Sequence, residues 1–102
     1  MSTDLGRRLL AEFVGTTLLV IFGAGAVVAA LEMGQGRLDY AGLGIIGISF
    51  ALVIAAVVYM FGTTSGAHIN PAVTISLWSV GRHPRAAVVP YIAAQCAGAA
   101  AA

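Results

Sequence analysis

The residues best suited to chemistry in this 102-residue chain lie in one short run, Ser65-Gly66-Ala67-His68-Ile69-Asn70-Pro71. Their types suit hydrogen bonding rather than bond making. Gly66 permits backbone angles closed to other residues. That freedom would let the carbonyls of Gly66, Ala67 and His68 stand as a ladder of acceptors. Asn70 is of the type that caps a helix N-terminus, and Pro71 suits the first helical turn. A short helix starting there points its positive end at whatever passes the ladder. Such a site admits neutral polar molecules and repels cations, protons included. A blander reading is a surface loop capping an ordinary helix, since Asn-Pro is a common turn dipeptide. One more residue stands out. Glu12 is the only acid well inside an apolar stretch, and an acid at membrane depth is a functional candidate by default. It reads either as a proton-coupled site or as a buried acceptor.

Composition shows what must position these residues. Hydrophobic residues make up 60% of the chain and charged ones 9%, with a net charge of +1; mean hydropathy is +0.97. A soluble domain carries about 25% charged residues. A soluble enzyme, a disordered segment and a nucleic-acid binder are therefore disfavoured, and the net charge offers no basic patch for phosphates. One Cys excludes an internal disulfide and a multi-Cys zinc site. No catalytic set and no metal-ligand set is expected. The partner to expect is a lipid bilayer.

A bilayer core of about 30 Å needs about 20 helical residues. The spans to expect are 9–31, with Glu12 in its first turns, and 41–61. Between them lies a polar loop from Glu32 to Asp39. Tyr40 to Gly81 is a run of 42 residues without a charge. As one helix it would be about 63 Å long, twice the apolar core, so it must break. The break is expected over Gly62 to Pro71. The pore loop and half-helix then occupy 65–80, and a helix of about 15 Å from Asn70 to Val80 reaches halfway through a membrane. A third span starts from 86 after a polar turn at Gly81–Arg85. Irregular backbone at membrane depth persists only where it packs in protein or lines a water-filled cavity. Arg7 and Arg8, with Arg82 and Arg85, put the N-terminus and that turn on the cytoplasmic side.

Ser65-Gly66-Ala67-His68-Ile69-Asn70-Pro71-Ala72-Val73-Thr74 resembles the signature of the major intrinsic protein family, which contains the aquaporins and glycerol facilitators. Ala11-Glu12-Phe13-Val14-Gly15-Thr16 is similar to the family's first helix, and Gln95 to a position in its third. The resemblance implies an all-α, aquaporin-like membrane fold. Residues 1–102 would be its N-terminal half, the first of two inverted repeats: two full transmembrane helices, a re-entrant half-helix and the start of a third span. It implies a passive channel for water and small neutral solutes, needing no cofactor and assembling as a homotetramer in the plasma (inner) membrane. Asn70, Pro71 and Ala72 would form the first of two Asn-Pro-Ala motifs meeting at the membrane centre. Gly66, Ala67 and His68 would line the pore, with Phe50 at a filter position twenty residues before Asn70. Glu12 would brace the pore loop. Phe50 is similar to water-selective members, whereas glycerol facilitators more often carry Trp.

The alternatives are a glycerol or polyol facilitator, and a truncated non-conducting fragment of either kind of channel. Small multidrug transporters also carry a Glu in their first span, but have four full spans and no half-helix. His68 is read as giving its carbonyl while its ring packs locally, His83 as plain surface and Cys96 as a small packing residue. Gly47, Ala51 and Ala55, like Ala94, Gly98 and Ala102, recur every four positions and suit close helix approach.

Overall fold

A computed structural model describes the backbone of residues 2–102 and the side chains from Asp4 onward. All regular structure among the described residues is helical. The chain runs α1 (Ser2–Leu19), a π-helical turn (Val20–Ala24), α2 (Gly25–Met33), α3 (Tyr40–Ser65), α4 (Pro71–Ser79), a 3₁₀ turn (Arg85–Ala87) and α5 (Val88–Ala101). The first three are continuous. Asp4–Met33, 30 residues, and Tyr40–Ser65, 26 residues, are each long and apolar enough to cross a membrane.

Local chemistry explains the helix ends. Asp39 caps α3 by accepting a 2.7 Å bond from the Gly42 N–H. Gly66 ends α3 in the left-handed region at φ 86°. The expected break over Gly62–Ser65 does not occur. Those residues continue the helix to Ser65, because the stop signal is the left-handed glycine and two Thr and a Ser can remain helical. Asn70 opens α4, its Oδ1 accepting from the Ala72 N–H at 2.8 Å with Pro71 in the first turn. Pro90 falls in the first turn of α5, where a missing N–H breaks no intrahelical bond.

The helices gather around α1, which packs along both α3 and α5. Its contact with α5 is a backbone approach. A Cβ on Gly98 would lie 2.4 Å from the Phe13 carbonyl oxygen. Thr17 bridges the seam, its Oγ1 2.8 Å from Phe13 O and 2.9 Å from Gly98 O. Val53, Val57 and Ile69 form a small apolar core, flanked by Leu18, Leu19, Phe61 and Ala67. The stripe at Gly47, Ala51 and Ala55 is exposed, and a Cβ on Gly47 would meet open space. Among the described residues, the close helix approach falls at Gly98 of the second stripe.

Candidate functional site

The segment between α3 and α4 is built around Glu12. This residue lies in α1, is 0% exposed and has four donors on its two oxygens. Oε2 accepts from Ser65 Oγ at 2.7 Å and from the His68 N–H at 3.1 Å. Oε1 accepts from the Ile69 N–H at 2.8 Å and from Gln95 Nε2 at 2.7 Å. An ionised carboxylate accepts and never donates, which matches this set. Ser65 Oγ in turn accepts from the Ala67 N–H at 3.1 Å, and the Gly66 N–H bonds to Gly62 O at 3.0 Å. Every backbone N–H from Gly66 to Ile69 is thus held within the chain. The carbonyls of Gly66, Ala67 and His68 accept no hydrogen bond among the described residues. The segment satisfies its donors and leaves its acceptors free.

Reaching that state takes an unusual backbone. Gly66, Ala67 and Ile69 all have positive φ, at 86°, 51° and 47°. For a β-branched residue such as Ile69 this is rare and costs about 1–3 kcal/mol, tolerated when the surroundings over-determine it. Here they do. The Ile69 N–H is bound to Glu12, and its side chain is buried in the apolar core. A Cβ on Gly15 would lie 2.8 Å from Ile69 Cγ2, so α1 presses directly on it.

A second layer supports the first. Gln95 Nε2 donates to Glu12 and also to Thr74 Oγ1 at 2.9 Å. Thr74 Oγ1 lies 2.8 Å from His68 Nδ1 and 3.5 Å from Asn70 O. The Thr74 hydroxyl thus joins the His68 ring, through Nδ1, to Gln95 and to the Asn70 carbonyl, with Nε2 on the ring's other edge. That Nε2 edge lies over Gly66, where a Cβ would sit 3.2 Å from it. Tyr91 donates its hydroxyl to the Ser65 carbonyl at 2.8 Å and accepts from Arg8 Nε at 2.9 Å.

Glu12, Ser65, His68, Asn70 and Gln95 come together as one network. Ala72 enters through its N–H on Asn70, and Pro71 through the first turn of α4. Phe50 does not join them. It lies fifteen residues before Ser65 on α3, about 22 Å along the helix, with its ring against Gly23. A Cβ there would be 2.5 Å from the Phe50 ring. Two readings need correction. His83 is not surface: it is 6% exposed, its ring 4.8 Å from His68 and 4.5 Å from Tyr91 between centroids. The left-handed turn at Gly81, φ 75°, with Arg82 N–H bonded back to Leu77 O, folds the ring inward. Cys96 is exposed rather than packed. Sequence reasoning also missed Thr74, Tyr91 and Arg8 as partners. Tyr91 and Gln95 are polar-tipped residues four apart on an apolar helix, hence on one face, and that spacing was the available signal.

Residues 1–102 match the family described as major intrinsic protein. The chain belongs to the major intrinsic protein family. It is 50% identical over 113 aligned residues to a probable aquaporin AqpM of Archaeoglobus fulgidus, covering 98% of this chain and 46% of that protein. It is 47% identical to aquaporin AqpM of Methanothermobacter marburgensis, covering 95% and 45%. It is 43% identical to aquaporin Z of Photorhabdus laumondii, covering 90% and 38%. The chain spans about half the length or less of these curated relatives. Family membership and two long apolar helices make it an integral membrane protein of an aquaporin-like, all-helical fold. Families of this kind are channels rather than enzymes.

Proposed function

We propose that the chain is the first half of a passive membrane channel for water and small neutral solutes. The observation that carries this reading is the one-sided hydrogen bonding of residues 66–69. Their N–H groups are consumed by Glu12, Ser65 and Gly62, and the carbonyls of Gly66, Ala67 and His68 are left over. Asn70 continues the row with the opposite polarity. Its Oδ1 is occupied by the Ala72 N–H, so its Nδ2 remains as a donor. Three acceptors followed by a donor, at the positive end of α4, match a neutral molecule that both donates and accepts. The same dipole end disfavours cations. In this reading Gly66, Ala67, His68 and Asn70 line the path, with Pro71 and Ala72 setting the start of α4. Phe50 narrows the path further along, and Glu12 braces the segment. The spans are 9–31, 41–61 and from 86, with the pore loop and half-helix over 65–80. The N-terminus faces the cytoplasm, the membrane is the plasma (inner) membrane, and the complete channel is a homotetramer. Water is preferred over glycerol as the solute because relatives of about 50% identity carry the name aquaporin and because residue 50 is Phe.

The test is an osmotic step on vesicles containing the product of the complete gene. Water flux well above that of empty vesicles, with slow glycerol entry, is the expected result. Fast glycerol entry would make it a polyol facilitator, and flux equal to empty vesicles for both solutes would overturn the channel reading. Asn70→Ala should lower water flux per channel several-fold, since it removes the free amide and the cap together.

A further inference from the structure

We propose that Tyr91, held by Arg8, is a positioning residue that sets where the row of free carbonyls begins, and thereby the channel's preference between water and larger neutral solutes. This rests on the reading that the free carbonyls serve a passing solute. Glu12 handles only the N–H side of the segment. On the C=O side one carbonyl is treated differently from its neighbours. Ser65 O receives the Tyr91 hydroxyl at 2.8 Å, whereas the carbonyls of Gly66, Ala67 and His68 receive nothing among the described residues. The direction of the bond is forced. Arg8 Nε, 2.9 Å from the Tyr91 oxygen, can only donate, so it takes a lone pair and the phenol proton must go to Ser65. Donation by a guanidinium also polarises the hydroxyl toward that carbonyl.

The tyrosine has little room to serve any other partner. It is 0% exposed. His68 and His83 lie 5.0 and 4.5 Å from its ring, centroid to centroid, and the Arg8 guanidinium carbon 5.3 Å from the same centroid. The ring belongs to α5, the guanidinium to α1 and the carbonyl to the last residue of α3, so one hydroxyl ties three helices at the point where helical backbone gives way to the ladder. Without that hydroxyl, Ser65 O becomes a fourth unpaired acceptor, and the left-handed turn at Gly66 and Ala67 loses its fixed starting point.

The experiment compares water and glycerol flux, per channel, in vesicles containing the product of the complete gene. The proteins are the unaltered channel, Tyr91→Phe, Arg8→Lys, and Tyr59→Phe as a control at a residue 90% exposed. Tyr91→Phe is expected to raise the glycerol-to-water ratio at least threefold, Arg8→Lys to raise it less, and Tyr59→Phe to leave it unchanged. A residue that only supports folding would alter the number of channels and not this ratio. An unchanged ratio in Tyr91→Phe, with the unaltered channel conducting, overturns the proposal and leaves the channel reading intact. No flux through the unaltered channel overturns both. If Tyr91→Phe fails to accumulate, Arg8→Lys decides, and an unchanged ratio there counts against the proposal.

Discussion

Two glutamates stand on the same continuous helical rod, one near each end, and they differ in every respect but type. Glu12 is fully buried and accepts four hydrogen bonds from α3, the 66–70 segment and α5. Glu32, in the last turn of α2, is exposed, and its side chain has no partner among the described residues. The surroundings differ in the same way. Around Glu12 lie Gln95, Thr74, His68, Tyr91 and Arg8, each tied to the next. Around Glu32 the chain turns through Gly34 and Gly36 into the cap at Asp39, and among the described residues no side chain from another helix hydrogen-bonds to Glu32. An acid in an apolar helix is thus neither functional nor incidental by its type. What decides is whether donors from elsewhere in the chain reach it, because a buried carboxylate without them carries a penalty of several kcal/mol.

The comparison can be broken most directly at Glu12. Glu12→Ala leaves four donors facing a void, and truncating one side of a buried charged cluster costs about 3–5 kcal/mol. The expected result is a protein that fails to accumulate in the membrane or unfolds at a far lower denaturant concentration. Near-normal unfolding would show that the four bonds contribute little. A smaller effect is expected at the seam that brings Gln95 to Glu12. Gly98→Val pushes a side chain into the Phe13 carbonyl, and overpacking of this kind costs about 1–3 kcal/mol. Thermal unfolding of the detergent-solubilised protein measures it, with Gly47→Val as the reference on a face where nothing is displaced. The smallest effect sharpens the contrast. Glu32→Gln should change stability by less than about 0.5 kcal/mol, the range of exposed substitutions, in the same unfolding measurement.

Much of this arrangement is legible in the sequence. The charge-free run from Tyr40 to Gly81 is too long for one helix, and Asn70-Pro71 marks where the second helix begins. Local chemistry suffices there because capping and proline act over two or three residues. It failed at Ser65, where polar residues read as a break turned out to be helical up to Gly66. It failed again at His83, which a polar turn disguised as surface. The polar partners of the segment were the least legible. Arg8 and Tyr91 are 83 residues apart, as are Glu12 and Gln95, and no local pattern links such pairs. Only the packing of α1 on α5 does, and that depends on one glycine fitting against one carbonyl. The bracing role of Glu12 follows from the family resemblance, whereas the residue types alone leave a proton-coupled site equally open.

The free oxygens of residues 66–68 belong to the main chain, and this has a consequence for variation at these positions. An exchange of side chain at Ala67 alters no acceptor, provided the new residue tolerates φ near 51°. The information that builds the row is held in torsion angles rather than in residue identity. By backbone angle alone Asn costs least at Ala67 after glycine, whereas a β-branched valine would carry the same penalty that Ile69 already bears at φ 47°.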